Sequence, residues 1–544
     1  MSESNLGIYL IIAFMAMAIS MAIIPLMMKY ASVMGMVDQP DPRKVHAFPI
    51  PRVGGVGIVI GALAPLLIWL PFDSLILSFL IGSFVLFSFG IWDDVKELDH
   101  YVKFVGQFVA AGVVVYYGDL YVSHFPFLGL EILPEWIGRP FTVIAMVGMM
   151  NAINHSDGLD GLAGGESLLS FAAITYLAFL YDSSVIVIIA AASIGGVFGF
   201  LRFNSHPAQV FMGDGGSQFL GFGLAFLVLV LTQQANEVLS PALPLLLLGL
   251  PIADIIAVFI LRARAGVNLF KATRNHIHHR LLDLGFHHYE AVMVIYSVQI
   301  LFIICAIQMP YGHDWVIISI YLSVCSAVFI LLTYAERKGW KVNHSHDFSG
   351  GFISRLPHKD ILIKIPNKML EAGVALFLIG AALMSNTVPF DIGISSLVLL
   401  ILLLFVALTG WMGAIVFRLV VFVTVGFSVY LLSTNPPEWL LIESHIIYLY
   451  FGLLTVLAFL SARLMVREQF QITPLDYLVI MMALVIGFVH DSGFGSEDLV
   501  WMVIQIIILF YACELTIQNM EKRLNSLMGS AVVALSLIAL RGLV

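Results

Sequence analysis

The sequence predicts an all-α polytopic integral membrane protein, and three observations predict it. Sixty per cent of the 544 residues are hydrophobic, with a mean hydropathy of +0.98. Only 11% are charged, against roughly 25% for an ordinary soluble domain. Apolar runs of about 17–25 residues, the length an α-helix needs to cross the hydrocarbon core, recur from end to end. Lipid offers the main chain no hydrogen-bond partner, so such runs must satisfy their own amides and carbonyls as helices.

Taken in order, helices are expected at about 6–28, 53–71, 74–92, 103–118, 138–152, 162–181, 184–201, 217–232, 241–262, 290–309 and 315–334. These eleven are followed by seven more, at about 370–386, 391–408, 413–433, 441–460, 474–489, 498–517 and 527–541. The chain therefore divides into a core (1–335), a polar linker (336–369) and a C-terminal membrane module (370–544). The first run lacks a basic leader and an A-x-A site, so it reads as a retained helix and not a signal peptide. Cys305, Cys325 and Cys513 lie inside apolar runs without metal-ligand spacing and read as small core residues.

Eighteen crossings place both termini on one side. With the N-terminus outside, nearly every Lys and Arg falls on inner segments, from Lys29 and Arg52 through Arg262 and Arg280 to Lys522 and Arg523. Arg139 and Arg541 are the exceptions, and Arg418 lies within or near a helix end. Basic residues are retained on the cytoplasmic side, so this orientation is the favoured one.

It sends the polar loops to one membrane face. They are "VDQPDPRKVHAFPIPRVGG" (37–55), "WDDVKELDHYVK" (92–103), "NAINHSDGLDG" (151–161), "RFNSHPAQVFMGDGGS" (202–217) and a basic, histidine-rich loop (262–288). Single acids at helix ends are commonly caps. Asp93, Asp94, Asp157, Asp160 and Asp214 together, in short glycine-containing loops, would repel one another unless a cation lay among them. All-oxygen ligands suit Mg²⁺ or Mn²⁺. Arg and Lys side chains with glycine-rich main chain suit a diphosphate. The positive-inside signal by itself explains most of the basic residues but not "HIHHR" (276–280). A zinc site from His276, His278 and His279 fits by ligand type, but no Cys is near and the spacing matches no zinc motif. "GDGG" lacks the Lys-Ser/Thr of a P-loop, and "DGLDG" lacks EF-hand spacing.

"DDVKEL", "NAINHSDGLDGLAGG", "FMGDGGS" and "NHIHHRLLDLG", in this order and on one face, resemble the polyprenyl-phosphate N-acetylhexosamine-1-phosphate transferases. The "HIHHR" form looks like the branch that starts O-antigen (lipopolysaccharide), enterobacterial common antigen or teichoic acid synthesis. The resemblance covers about residues 1–335. It implies transfer of a sugar 1-phosphate, GlcNAc-1-phosphate foremost, from a UDP-N-acetylhexosamine to undecaprenyl phosphate, with release of UMP. It also implies a Mg²⁺ cofactor, with Mn²⁺ as the alternative ion, and a place in the bacterial inner membrane with the site facing the cytoplasm.

By the same resemblance Asn154 and Asp214 contact the metal. Asp93 and Asp94 bind or deprotonate the lipid phosphate, with Lys103 near the phosphates; Asp157, assigned to the catalytic group, and Asp160 shape the nucleotide pocket. Phe211 lies against the uracil. His276, His278, His279 and Arg280 hold the diphosphate or sugar, and Lys44 and Arg52 contact phosphate. A homodimer is compatible with the family, and no nucleic-acid partner is expected. Direct attack and an aspartyl-phosphate route are both open, direct attack being sufficient if the repulsion between two anions is lowered. Residues beyond about 336 extend past the family core, and no motif there suggests chemistry. The rival reading is a secondary transporter, whose site would lie near the bilayer midplane.

Overall fold

The computed structural model describes residues 4–40, 48–126, 132–266, 274–343, 359–409, 413–437, 439, 445–464, 497–518 and 525–543. It divides into two compact units, the first with described residues 8–343 and the second with those from 359 onward together with residues 4–7. Eleven described helices are long and apolar enough to cross a membrane, and four more apolar helices are shorter. The helix expected at 474–489 lies outside the described residues.

The first unit contains α1 (Ser4–Met34), α2 (Gly54–Trp69), α3 (Ser74–Lys96), α4 (His100–Gly112), α5 (Glu135–Ser156), α6 (Leu162–Leu180), α7 (Ser184–Asn204) and α8 (Asp214–Val230). It continues with α9 (Pro244–Leu247), α10 (Gly249–Arg264), α11 (Ile277–Asp283), α12 (His288–Gln308) and α13 (Asp314–Arg337). The helix expected at 241–262 is thus broken into α9 and α10, and α11 is an added short helix in the histidine loop. Between α1 and α2 the chain forms a two-residue antiparallel hairpin, β1 (Val37–Asp38) with β2 (Ile50–Pro51), pairing Val37 with Pro51 and Asp38 with Ile50.

Local chemistry sets the helix ends. Asp73 accepts the Ile76 N–H at 2.8 Å and starts α3. Glu290 accepts the His287 N–H at 2.7 Å and closes a capping box on α12. α8 is the central post, buried along its whole length, and α2, α3, α5, α6 and α7 pack around it. Helices in lipid gain from close main-chain approach at small residues, and α8 uses this twice at its first turn. A Cβ on Gly90 would lie 2.1 Å from the Gly215 Cα, and one on Gly55 would lie 2.4 Å from the Gly216 N. Further along, Phe79 of α3 lies against Phe219, Phe222 and Phe226 of α8, with ring centroids 4.7–6.5 Å apart.

Strict alternation of direction brings the C-termini of α1, α3, α5, α7, α10 and α13 to one end, with the N-termini of α2, α4, α6, α8 and α12. Among the described basic residues of this unit, Arg139 alone lies at the other end. There its guanidinium is neutralised by Asp119 (2.7 Å) and Glu135 (3.0 Å), donates to the Val115 carbonyl and packs over Tyr121.

The second unit contains α14 (Lys359–Met384), α15 (Phe390–Thr409), α16 (Gly413–Thr434), α17 (His445–Leu464), α18 (Glu497–Gln518) and α19 (Asn525–Leu543). α14 begins well before the expected 370, inside the stretch read as linker; residues 344–358 of that stretch lie outside the described residues. α15 crosses α19 where Gly393 meets Gly542. Arg541, the second exception to the charge pattern, spends its guanidinium on the last carbonyls of α14, donating to Ala382 O at 2.6 Å and Leu383 O at 3.1 Å. A cation there also complements the helix C-terminus. Arg418 and Glu514 approach to 3.7 Å between α16 and α18.

The Gly90–Gly215 crossing is directly testable. Gly90→Ala is expected to cost about 1–3 kcal/mol through overpacking and to lower the melting temperature of the purified protein in detergent. An unchanged melting temperature would contradict so close an approach.

Candidate functional site

The candidate site forms at the end where the basic residues gather. Asp93 and Asp94 close α3, Lys103 lies in the first turn of α4, Asn154 and Asp157 close α5, and Asp214 opens α8. Lys103 Nζ lies 2.6 Å from Asp93 Oδ2 and 2.7 Å from Asp214 Oδ2, so one ammonium bridges two carboxylates from different helices. Asn154 Nδ2 donates to Asp214 Oδ1 at 3.1 Å and to Ser217 Oγ at 2.9 Å. Asp93 Oδ1 also accepts the Leu98 N–H at 2.7 Å.

Asp94 is turned inward. Its Oδ1 accepts the Asp214 N–H at 3.1 Å, so it caps the first turn of the central helix. Gly213 makes this possible in two ways. Its φ of +75° is a left-handed conformation that favours glycine, and a Cβ there would lie 2.6 Å from Asp94 Oδ2. Asp94 therefore places Asp214 and does not line the cavity.

A cavity of about 810 Å³ opens beside Asp214. Arg52, Asp157, Asp160, Phe211, Asp214 and His279 line it, together with His206 and His288. Burial, followed by the charges of Asp214 and Asp160, pushes the Asp157 carboxyl up to about 7. Burial would also raise Asp160, but the His206 hydrogen bond, His288 and the Ala208 N–H hold it below its ordinary value. Arg52 is clamped by an ion pair with buried Asp38 and lies 3.7 Å from Glu97. Main-chain bonds stitch the neighbouring loops together: Phe211 N–H donates to Pro51 O at 2.8 Å, and Gly54 N–H donates to Phe211 O at 2.9 Å. They hold Phe211 at the cavity wall. Lys44 lies outside the described residues.

The histidine loop is divided in its duties. His279 reaches the cavity. His278 is buried against Gly158, where a Cβ would lie 2.3 Å from its Nε2. Burial and the neighbouring His279 and His276 push its imidazole well below the ordinary range. His276 does not line the cavity; its Nδ1 lies 2.7 Å from Asp254 Oδ2. Asp254 Oδ1 also accepts the Ile277 N–H at 2.9 Å, so it pins the start of α11. Arg280 turns to α13, donating to both oxygens of Glu336 at 2.7 and 2.8 Å and to Thr333 Oγ1 at 3.0 Å. His276, His278 and His279 do not form a group of close ligand atoms among the described residues, in keeping with the sequence argument against a zinc site there.

Asp38, His206, His288 and Ser217 also belong to this neighbourhood; they lie within the polar loops read from the sequence, Ser217 closing "FMGDGGS", but were given no role there. Asp254 lay outside those loops and left its own trace, as an acid inside the apolar run "GLPIADIIAVFI", since an ionisable group within a membrane helix is costly without a partner.

Lys103 Nζ and Asn154 Nδ2 face the two Asp214 oxygens; the carboxylates of Asp214, Asp157 and Asp93 and the carbonyl oxygen of Asn154 offer oxygen ligands, a set that would suit a hard divalent cation. Asp157 is raised first by burial and then by the charges of Asp214 and Asp160; a cation between the carboxylates would relieve the charge contribution.

Fold and site together define a polytopic membrane protein that gathers acids, an amide and a bridging lysine beside a cavity at one end of its helices. Residues 76–232 match the family described as "Glycosyl transferase family 4". A probable undecaprenyl-phosphate N-acetylglucosaminyl 1-phosphate transferase of Bacillus subtilis is 34% identical, over 60% of this chain and 91% of its own. The undecaprenyl-phosphate alpha-N-acetylglucosaminyl 1-phosphate transferase of Escherichia coli K12 is 30% identical, over 58% of this chain and 87% of its own. A decaprenyl-phosphate N-acetylglucosaminephosphotransferase of Mycobacterium leprae is 32% identical, over 48% of this chain and 73% of its own. The chain belongs to the polyprenyl-phosphate N-acetylglucosamine-1-phosphate transferase family. It is a membrane-embedded transferase.

Arg280 gives the test of the divided loop. If it anchors α11 to α13, Glu336→Ala should reproduce the effect of Arg280→Ala on melting temperature and turnover, and the double variant should be no worse than either single one. A rise in substrate KM with Arg280→Ala alone would instead put the guanidinium on the substrate.

Proposed function

We propose that the protein transfers GlcNAc-1-phosphate from UDP-GlcNAc to undecaprenyl phosphate, giving undecaprenyl-diphosphate-GlcNAc and UMP, as the first membrane step of a cell-envelope polysaccharide. The observation that carries this reading is the Asp93–Lys103–Asp214 bridge beside a cavity at the membrane end. A lipid-borne phosphate can reach that end while its hydrocarbon stays among the helices. The family relatives named for this reaction support the acceptor and the sugar phosphate.

The chemistry needs little from a base. A lipid phosphate is already anionic near neutral pH, and its oxygen attacks the β-phosphorus of the donor. The bond from that phosphorus to the bridging oxygen breaks, and UMP leaves with the electron pair. The difficulty is the approach of two anions, so stabilising and positioning charge is the main task. Lys103 supplies a cation next to the reacting phosphates. Asp214, Asn154 and Asp157 would hold Mg²⁺, which supplies charge neutralisation of the diphosphate. Asp94 keeps Asp214 in place from behind. Asp93 orients Lys103. Phe211 offers an aromatic wall to the base, and His279 lies on the same cavity wall.

We assign the site end to the cytoplasmic face of the bacterial inner membrane and the N-terminus to the outer side, where the eighteen crossings read from the sequence would also put the C-terminus. This rests on the gathering of Arg and Lys at that end and on the confinement of Arg139 at the other. A carrier or partner role for residues 344–544 belongs to the same reading only as an attached module, since no chemistry is assembled there among the described residues.

The purified protein with undecaprenyl phosphate and UDP-GlcNAc should release UMP only with Mg²⁺ or Mn²⁺, and chelation should abolish release reversibly. Asp214→Asn should lower kcat at least a hundredfold while the protein still inserts in the membrane and melts normally. Metal-independent release, or a fully active Asp214→Asn variant, would contradict the assignment.

A further inference from the structure

α11 contributes to two cavities. His279 reaches the one beside Asp214. Leu281 and Leu284 line a second, of about 520 Å³, which is closed by Leu332 and Tyr334 of α13 and by Trp340 just beyond it. The two share no lining residue, and the only charged side chain on the second is Lys338. Two struts frame this second cavity. Arg280 ties α11 to Thr333 and Glu336 of α13. The Val342 N–H donates to Leu284 O at 3.0 Å, and Trp340 approaches Phe286 with ring centroids 6.1 Å apart. Between the struts lies an open apolar groove of ligand size. Apolar surface left uncovered in one patch marks an interaction site.

The groove lies where a bilayer surface is expected. It sits at the basic end, on the last turns of α13, a helix of membrane length whose Ile330 and Leu331 are each 66% exposed. Tyr334 and Trp340 are exposed just beyond, and aromatic residues so placed belong at headgroup level. "ERKGWK" (336–341) adds Arg337, Lys338 and Lys341, all exposed. Among the described residues no carboxylate pairs with any of the three. The nearby acids are engaged elsewhere, Glu336 by Arg280 and Asp283 by Arg274 at 3.4 Å. Lys338 Nζ lies 5.7 Å from the centre of the Tyr334 ring, on the groove wall. The positive-inside signal accounts for cations at this end; it does not account for an apolar groove that ends on one of them.

We propose that this groove binds a diacyl phospholipid with an anionic headgroup, one acyl chain lying against Leu281, Leu284 and Leu332 and the phosphate meeting Lys338. Charge decides the headgroup, because Lys and Arg clustered beside a membrane helix on the cytoplasmic side favour anionic lipids. The apolar wall decides for a lipid over a free phosphate ion, to which it offers nothing. The acceptor lipid belongs elsewhere: its phosphate must reach the Lys103 bridge, beside the other cavity. The bound phospholipid also acts on the site. It fills the space against the short helix that presents His279 and so fixes that part of the cavity wall.

Photo-labelling tests the site. Purified full-length protein in phosphatidylcholine nanodiscs receives a trace of phosphatidylglycerol, or of phosphatidylcholine, carrying a mid-chain diazirine, and labelled peptides are mapped by mass spectrometry. The phosphatidylglycerol probe should label residues 281–286 and 331–340 about fivefold more than the phosphatidylcholine probe, the size of one Lys or Arg contact with an anionic lipid surface. Lys338→Glu should bring the two probes level. Ala335→Trp, which fills the groove, should remove both labels; Lys338→Glu carries the test if that variant melts early. A kinetic arm rests on the reaction proposed above, as the labelling does not: phosphatidylglycerol discs should lower the KM for UDP-GlcNAc in wild type and not in Lys338→Glu. Equal labelling by the two probes, or a label that survives Ala335→Trp in folded protein, would overturn the lipid site. So would loss of the label on adding an equimolar amount of undecaprenyl phosphate, which would give the groove to the acceptor. A KM indifferent to the headgroup, with labelling still selective, would overturn the action on His279 alone.

Discussion

The Lys103 ammonium between Asp93 and Asp214 is the interaction on which the site depends. At 2.6 and 2.7 Å from the two carboxylate oxygens, it holds them no more than about 5 Å apart. Two unit charges at that distance repel by about 3 kcal/mol at an effective dielectric of 20, and each attraction to the ammonium at half the distance is about twice as large. The Coulomb sum of the three charges is therefore attractive, before the cost of burying them, and repulsive without the cation. It also joins α3, α4 and α8, so the charge arrangement and the helix arrangement are one object.

The central helix converts that arrangement into a position. α8 is surrounded by protein along its length, and its first turn leaves no room for a side chain on Gly90 of α3, which faces Gly215, or on Gly216, which faces Gly55 of α2. Asp214 cannot shift without moving that turn. Asp94 then satisfies the Asp214 main-chain N–H from behind, and an anion there suits the positive end of the helix. Of the adjacent acids at the end of α3, one faces the lysine and the other faces the helix.

Much of this was legible in the chain. Apolar runs of membrane length marked the helices, and the distribution of Arg and Lys put the polar loops at one end. The exceptions, Arg139 and Arg541, are cations tied to local acids or to helix-end carbonyls. What the sequence did not reveal is which way side chains turn. "HIHHR" reads as one cationic motif, yet Asp254 claims His276, Gly158 covers His278 and Glu336, across 56 residues, claims Arg280. His206 and His288 stand in unremarkable surroundings and meet only because α7 and α12 end at the same face. Periodicity reports burial; it carries no information about partners so distant in sequence. The break between α9 and α10 was hidden for a related reason, since both pieces are apolar and only the main chain distinguishes them.

The proposed chemistry stands on a divalent cation held at the carboxylate end of this bundle through Asp214. The most direct measurement is Mn²⁺ binding to the purified full-length protein by electron paramagnetic resonance, with and without UDP-GlcNAc, in wild type and in Asp214→Ala. The account predicts about one tightly bound ion per chain in wild type, a changed signal when the diphosphate is added, and loss of the site in the variant. Equal Mn²⁺ binding in Asp214→Ala and wild type would contradict it.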